Sequence, residues 1–337
     1  MESRMKNKTR WLSRITLVGA VATALVATAC SKESSDPTKD DKAPPGTLAV
    51  AEAARADSPL DATPDPQGEN VYYIAFNTMA DEDGLATVRV PAIFKVSAAG
   101  GPSVKLHEGA PLVSPSSISI SDDGQTLFIA DGAAESAPGE DDGSLFSMGI
   151  GGGAPTALSG TQGYQPRGIE VMGDTVWFTG KKDGKAALFK SGLGGGQVSE
   201  VASGALFTDP SGVAVTKKGV AYVVDSGGAA SAQGGASVIK VEAGVAEVVM
   251  EGLGVGHPAG AALTADESTL LVSGLDVGRG TDVVYKIELA SKNMSSITDV
   301  IGDFRESAGL HRARGKNVFA WADSNANGTG TVYKLEL

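Results

Sequence analysis

The sequence is poor in cysteine, histidine and aromatic residues. One Cys and three His among 337 residues exclude an intramolecular disulfide framework and a cysteine-ligated zinc site. Aromatic residues make up 5% of the chain, whereas Gly reaches 45 residues, roughly twice its usual share. Because helix interiors disfavour Gly, this surplus indicates a fold with many tight turns. A hydrophobic fraction of 42% suffices for a sizeable core and excludes disorder of the whole chain.

Basic residues are scarce beyond the N-terminal segment. The chain carries 28 Lys and Arg against 40 Asp and Glu, a net charge of −12. Five of the basic residues but only one acidic residue lie within residues 1–29, so the remainder is strongly acidic. A body of this charge repels nucleic-acid backbones, and nucleic acid is therefore not an expected partner. The acidic surplus is typical of an exported protein kept soluble by its surface charge.

The longest uncharged apolar run lies near the N-terminus, from Ile15 to Ala29. Its 15 residues are fewer than the roughly 20 needed to span a bilayer. Basic residues precede the run and small residues end it, which predicts a secretory signal peptide over residues 1–29. The run stops directly before Cys30, the single cysteine of the chain.

The segment Val26–Cys30 resembles the lipobox of bacterial lipoproteins, in which the Cys becomes the lipidated N-terminus. Ala27 departs from that pattern, because Leu is commonest there, so an ordinary signal peptide cut before Cys30 is the alternative. The resemblance implies a diacylglyceryl and an N-acyl chain on Cys30, which together anchor firmly to a membrane. Ser31 favours the outer membrane under the enteric sorting rule. We therefore expect a lipidated Cys and flexible linker over residues 30–46, and a cell-envelope lipoprotein facing the periplasm or the cell surface.

A pattern repeats six times over residues 47–337, the expected folded domain. Each repeat has a turn, often Pro-x-Gly, then a short apolar strand, a polar turn, a second strand, a variable loop and a third strand. The second strands are Val71–Ile74, Leu127–Ala130, Val176–Thr179, Ala221–Val224, Leu270–Ser273 and Val318–Trp321. Five repeats add a fourth strand. Four short strands per repeat, with no amphipathic helix between them, predict an all-β, six-bladed β-propeller.

The sixth repeat ends at Leu337 before any fourth strand. The apolar segment Thr47–Ala51 precedes the first repeat, and we expect it to supply the missing strand and close the ring. The repeats resemble those of six-bladed NHL-repeat and SMP-30 (gluconolactonase-like) propellers over about residues 47–337. This resemblance implies the architecture but not the chemistry, because propellers host hydrolases, lyases and binding scaffolds alike.

The loops between second and third strands share one face of a propeller with the loops that lead into the first strands. We expect the long loops of this face at residues 77–90, 131–143, 225–235, 274–281 and 323–330. Loops on a rigid scaffold are where binding residues concentrate, and the opening of the central channel is the expected site. The candidate ligand-binding residues on this face are Asp131, Arg167, Asp225 and His257.

Resemblance to gluconolactonase-like enzymes implies a divalent metal held by a Glu, two Asn and an Asp. The middle positions of the Pro-x-Gly turns, where that family commonly has Asn, hold Ser116, Arg167, Ser211, Ala259 and Ala308. Asp131 and Asp225 end second strands, where the family's Asp lies, but two carboxylates do not make a cage of about six oxygens. Their simpler role is to accept hydrogen bonds from turn N–H groups.

No Gly-x-Ser-x-Gly elbow is present, and His257 and His311 are general-base candidates without an identified nucleophile. We therefore name no catalytic residue and expect a non-catalytic binding or scaffold protein for an envelope protein or a small ligand. The alternative is a metal-dependent, lactonase-like hydrolase with an altered metal site built around Asp131, Asp225 and His257. A structural propeller within a larger envelope complex is a third possibility.

One short motif suggests a metal. Asp323, Asn325 and Asn327 precede Gly328 in the Asp-x-Asn-x-Asn-Gly pattern that opens a calcium loop. The twelfth position of that loop is Lys334 instead of a bidentate Glu, which excludes an EF-hand. A weak calcium site and a simple Asx-rich turn are the two interpretations.

Overall fold

The computed structural model describes residues 49–80, 87–135, 139–140, 142–228, 235–278, 280–297, 307–325 and 328–337. The described residues all belong to one unit of the chain, Ala43–Leu337. The predicted signal peptide over residues 1–29, and Cys30 with the whole linker over residues 30–46, lie outside the described residues. Within the described part of the chain, no helix is long and apolar enough to cross a membrane.

The described residues form 24 β-strands and no α-helix. Blade 1 consists of β2 (Asp57–Pro64), β3 (Asn70–Ala80), β4 (Thr87–Ser97) and β5 (Val104–Glu108). Blade 2 consists of β6 (Pro115–Ile120), β7 (Thr126–Asp131), β8 (Ser144–Gly149) and β9 (Thr156–Ala157). Blade 3 consists of β10 (Ile169–Met172), β11 (Thr175–Lys182), β12 (Lys185–Gly192) and β13 (Ser199–Ser203). Blade 4 consists of β14 (Pro210–Val215), β15 (Ala221–Asp225), β16 (Ala236–Glu242) and β17 (Val245–Leu253). Blade 5 consists of β18 (Ala261–Leu263), β19 (Thr269–Asp276), β20 (Thr281–Glu288) and β21 (Met294–Ile297). Blade 6 consists of β22 (Ser307–Arg312), β23 (Val318–Asp323), β24 (Thr331–Glu336) and β1 (Ala49–Arg55).

Six four-stranded antiparallel sheets follow one another along the chain, each with its strands in sequential order except the last. In that sheet, β1 pairs antiparallel with β24, with Val50 opposite Leu335 and Ala51 opposite Lys334. The N-terminal strand therefore completes the blade that the C-terminus leaves with three strands. The chain is a six-bladed β-propeller, closed as the sequence predicts.

The core lies between neighbouring sheets, because each blade buries apolar side chains on both of its faces. Val224 and Val238 of blade 4, for example, pack with Val272 and Val283 of blade 5, and all four are fully buried. Trp321 of blade 6 is also fully buried and contacts Tyr333 at 5.5 Å between ring centroids. Each such side chain contributes about 1.5–3 kcal/mol through burial, so the blades are held together by side chains at their interfaces.

Two predicted loops are shorter than the sequence pattern indicates. In blade 1, β3 extends to Ala80 and β4 begins at Thr87, so residues 77–80 and 87–90 belong to a long hairpin. This extension is stabilised by Arg89, whose guanidinium lies 4.2 Å from the ring centroid of Phe76. In blade 5, β19 continues through Asp276, which shortens the predicted loop at 274–281. Polar composition alone does not end a strand when cross-strand pairs support it.

Candidate functional site

Asp131 and Asp225 occupy equivalent places at the ends of the second strands of blades 2 and 4. Both side chains are buried. The carboxylate of Asp131 accepts hydrogen bonds from the backbone N–H groups of Val113 at 2.7 Å and Ala133 at 3.1 Å. Burial raises the pKa of Asp131 above its ordinary value, although these N–H groups act in the opposite direction.

Asp225 repeats this arrangement in blade 4. Its carboxylate accepts hydrogen bonds from the N–H groups of Thr208 at 2.8 Å and Gly227 at 2.9 Å. In both blades the carboxylate ties the loop that leads into the first strand to the loop that follows the second. Asp131 and Asp225 thus fix the loops of this face, and their oxygens are directed at backbone donors.

In blades 3 and 5 a hydroxyl group, instead of a carboxylate, accepts the hydrogen bond that connects the segment before the first strand to the second strand. The hydroxyl of Thr179 accepts a hydrogen bond from the N–H of Gly168 at 2.9 Å, and that of Ser273 accepts one from Gly260 at 2.7 Å. Each hydroxyl stands one residue before the position that holds Asp in blades 2 and 4. The loop-fixing role of these side chains is therefore a property of the repeat.

Asp323 ends the second strand of blade 6 and is also buried. Its Oδ1 accepts a hydrogen bond from the N–H of Asn325 at 3.1 Å, as in an Asx turn. Asn325 is exposed, and Asn327 lies outside the described residues. Among the described residues, no three His, Cys, Asp or Glu side chains are grouped as a metal site. The calcium site at this loop stays a prediction.

Arg167 and His257 line one cleft on the loop face. The cleft has a volume of about 280 Å³ and is also lined by Lys181, Gln165 and Ser116. Its walls come from blades 2, 3 and 5. Because blades 2 and 5 stand three places apart in a ring of six, the cleft extends across the mouth of the central channel. Of the four predicted ligand residues, the structure brings Arg167 and His257 together and places Asp131 and Asp225 inside the surrounding loops.

The cleft contains a salt-bridge cluster. Oδ1 of Asp209 lies 2.6 Å from Nη1 of Arg167 and 3.2 Å from Nζ of Lys181. Burial opposes ionisation of Asp209, but the hydrogen bond and the charge of Arg167, with a smaller contribution from Lys181, hold the pKa of Asp209 below its ordinary value. One carboxylate thus faces two cations. Sequence reasoning missed Lys181 and Asp209, although Asp209 precedes Pro210 in the Pro-x-Gly turn of blade 4 as His257 precedes Pro258 in blade 5.

Below the cleft, the first strands close around the axis. Each blade places a small residue or Asp at the same level, within its first strand or directly before it. These residues are Asp61, Ser117, Gly168, Gly212, Gly260 and Gly309. A Cβ atom at Gly212 would lie 2.5 Å from the backbone oxygen of Ala259 in the next blade. Only glycine permits this approach between neighbouring backbones. The remaining cavity at this level is about 10 Å³, about the room of a single water molecule.

A chain of charged side chains continues down the closed channel. Nε2 of His311 lies 3.0 Å from Oδ2 of Asp61, and Nδ1 lies 3.1 Å from Oε2 of Glu170. Glu170 also pairs with Arg314, whose Nε lies 2.9 Å from Asp122 at the opposite face. Asp61 further accepts hydrogen bonds from the hydroxyl of Ser117 and the N–H of Ile118. These groups join blades 1, 2, 3 and 6 through buried charges.

The buried position of His311 on its own would disfavour its charged form. The charge and hydrogen bond of Asp61, together with Glu170, outweigh that effect and raise the pKa of His311 from 6.5 to about 10. Glu170 likewise is buried, yet Arg314 and His311 lower the pKa of its carboxyl. His311 is thus an imidazolium held between two carboxylates at neutral pH. This arrangement suits a structural cation better than a general base, which must be neutral to accept a proton.

We predict that the stability of the propeller declines above neutral pH because of His311. Its pKa is higher in the folded state, so its stabilisation is complete below about pH 6.5 and is lost as the pH rises through about 10. Urea unfolding of the wild type and of His311→Gln over this range measures the effect. The difference in unfolding free energy between them should shrink steadily as the pH rises. A difference that is constant with pH would show that the charge of His311 contributes nothing.

Comparison with known proteins identifies the fold. No protein-family model and no curated protein sequence matches the chain. Several solved structures are similar to the chain. The PQQ-bound aldose sugar dehydrogenase from Streptomyces coelicolor is similar with a TM-score of 0.58 and 15% identity, covering 87% of this chain and 99% of that one. A gluconolactonase from Xanthomonas campestris is similar with a TM-score of 0.55 and 11% identity, covering 87% and 90%.

TolB from Acinetobacter baumannii is similar with a TM-score of 0.53 and 12% identity over 73% of this chain. The present chain spans 56% of that TolB. At such identities the likeness shows the propeller fold alone. The expected resemblance to gluconolactonase-like propellers is confirmed at the level of architecture, and chemistry has to be argued from the site itself.

Proposed function

We propose that this propeller is a non-catalytic binding protein of the cell envelope that takes its ligand or partner in the cleft on the loop face. The observation that carries the proposal is the cleft itself: about 280 Å³ across the channel mouth, lined by Arg167, Lys181 and His257. A concave site with a few converging polar groups is where propellers and other rigid scaffolds bind ligands. The walls of the cleft come from blades 2, 3 and 5, so the relative positions of these side chains are fixed by the closed ring.

The alternative lactonase-like activity is not favoured by these residues. The two carboxylates that this alternative places at its metal, Asp131 and Asp225, accept hydrogen bonds from backbone N–H groups of their own loops. The side chains that do line the cleft include the cations Arg167 and Lys181. A divalent cation placed there would meet like charges. The geometry therefore supports recognition of a negatively charged or polar group over metal-assisted hydrolysis.

The location in the cell envelope is part of the same proposal. It is supported by the lipobox-like segment that ends at Cys30 and by the polar, linker-like residues that follow it. A lipid anchor at Cys30 and a linker leave a propeller attached to a membrane, with access to envelope proteins or small ligands. The acidic surface of the body disfavours direct contact with anionic lipid headgroups. Attachment would therefore depend on the acyl chains.

Crosslinking in living bacteria tests both parts of the proposal. A photo-reactive amino acid replaces Ala133, which lines the cleft, in the full-length chain. The matched control replaces Val245, which is 70% exposed on the outer strand of blade 4. We expect an adduct from position 133 and none from position 245, in a protein that fractionates with membranes and is released by Cys30→Ala.

Three results would contradict the proposal. Equal adducts from both positions, or none from position 133, would remove the binding role of the cleft. Wild-type protein found wholly in the soluble fraction would remove the anchor. Hydrolysis of lactones by the purified protein, lost when Asp131 and Asp225 are both changed to Ala, would establish the enzyme instead.

A further inference from the structure

We infer that the cleft recognises a carboxylate group, with Arg167 as the principal contact and Lys181 as the second. This inference rests on the proposed binding role and specifies its chemistry. The ligand class is a small organic acid, or a carboxylate presented by a partner. This ligand class fits the donors that the two cations retain, the charge of the cleft and its size.

Arg167 is only partly used by the protein. Among the described residues, its guanidinium makes one hydrogen bond, from Nη1 to Asp209 at 2.6 Å. Its side chain is 30% exposed, and it lines the cleft. The Nε and Nη2 groups therefore keep N–H donors for a ligand. A guanidinium offers these donors in one plane, which matches the two oxygens of a carboxylate.

Within the described part of the chain, Lys181 also uses only part of its hydrogen-bonding capacity. Within the described part of the chain, its ammonium group makes one hydrogen bond, to Asp209 at 3.2 Å, out of three available N–H donors. Its side chain is also 30% exposed. Asp209 holds both cations on one oxygen and so fixes them on the same side of the cleft. Two cations fixed side by side lose less side-chain freedom on binding than free surface lysines do.

The charge balance favours one carboxylate over a phosphate dianion. Arg167 and Lys181 supply two positive charges, and Asp209 neutralises one of them. This balance leaves one positive charge for the ligand. A single carboxylate cancels it, whereas a phosphate carries more charge than the cleft offsets. In a protein of net charge −12, this residual positive charge is a local exception.

The other walls of the cleft set the size of the ligand. Gly132, Ala133 and Pro166 are small, and Ser116 and Gln165 add neutral polar groups. The hydroxyl of Ser116 donates to the backbone oxygen of Arg167 at 2.8 Å and so supports the segment that carries the guanidinium. A volume of about 280 Å³ is near the lower end for ligand sites. It holds an acid group with a few further atoms.

Calorimetric titration of the purified soluble body tests the inference, with lactate as the monocarboxylate probe and inorganic phosphate and chloride as comparisons. All titrations are made at one ionic strength, because exposed charges are screened by salt. We expect lactate to bind the wild type more tightly than phosphate does, with no heat from chloride. Arg167→Gln should weaken lactate binding about tenfold or more, because it removes a charge-assisted contact.

Further variants separate recognition from general charge and from folding. Lys190→Gln removes one charge from an exposed position in the same blade and should leave lactate binding unchanged. Arg167→Lys keeps the charge without the planar donors and should bind lactate with intermediate affinity. Melting curves without ligand establish that each variant is folded. If Arg167→Gln is not folded, Lys181→Gln replaces it and should weaken lactate binding in the same direction.

The outcomes are distinct. Lactate binding that is equal in wild type and Arg167→Gln, or lost equally in Lys190→Gln, overturns the inference, as does tighter binding of phosphate or no binding of lactate. If these occur while the crosslink from position 133 persists, only the carboxylate chemistry fails and the binding role stands. Where lactate binds, the mass of the crosslinked adduct tells a small organic acid from a carboxylate on a protein partner.

Discussion

Replacing His311 with Gln is expected to lower the free energy of unfolding by about 3–5 kcal/mol, the cost of breaking a buried ion pair. His311 lies between the carboxylates of Asp61 and Glu170, and both His311 and Asp61 are almost fully buried. Gln fills a similar space but leaves Asp61 without its cation. Urea unfolding at pH 6, where the stabilisation by His311 is complete, measures the loss.

The matched control is His107→Gln. His107 is a partly exposed histidine in β5 whose Nε2 lies 3.0 Å from the backbone oxygen of Gly109. Its replacement should change the free energy of unfolding by less than about 0.5 kcal/mol, as at most surface positions. Combining His311→Gln with Asp61→Asn removes both charges and should recover part of the loss. Equal effects of the two histidine variants would show that the buried pair is not stabilising.

The sequence predicts the propeller well because its strands repeat. The second strand of each blade is an apolar segment between turns. Closure of the ring follows from two features taken together, the apolar segment before blade 1 and the missing fourth strand of blade 6. Strand pairing confirms this at β1 and β24. Local composition is less informative where strands extend beyond the repeat. The β3–β4 hairpin runs through residues with the composition of a loop because Arg89 and Phe76 stack across it.

The candidate site could be predicted only in part. Arg167 and His257 precede first strands, so the repeat places them on the loop face, where the structure finds them in one cleft. Asp131 and Asp225 are on the same face, but the direction of a side chain within a loop depends on backbone donors that composition does not reveal. The charged residues on the axis of the channel are harder to predict from the sequence. Asp61 and His311 are 250 residues apart, and only the ring closure brings them together.

The charged side chains on the axis of the channel do leave one recognisable pattern in the sequence. Five of the six repeats place Ser or Gly where blade 1 has Asp61, so a charge at that level is exceptional within the repeat. A buried charge requires a partner. His311 and Glu170, which stand in other first strands at lower levels, are the groups that provide and extend this pairing. An unusual charge in an inner strand therefore indicates a second one on the same axis.

Changing Gly309 to Ala is expected to destabilise the propeller by about 3 kcal/mol or more, at the upper end for overpacked cores. A Cβ atom at Gly309 would overlap the carboxylate of Asp61. That carboxylate cannot move aside without losing its hydrogen bonds from Ser117 and Ile118 and its contact with His311. The substitution thus forces blades 1 and 6 apart or breaks the axial pairing.

The control for this change is Gly149→Ala, at the end of β8. No atom lies within 4 Å of the Cβ position at Gly149, which has no left-handed backbone conformation. This variant should be neutral or more stable by about 0.4–1 kcal/mol, because Ala reduces the freedom of the unfolded chain. Chemical unfolding of both variants at one pH gives the comparison. If Gly309→Ala were as stable as Gly149→Ala, the first strands could not be in contact at the axis, and the closed channel beneath the cleft would be wrong.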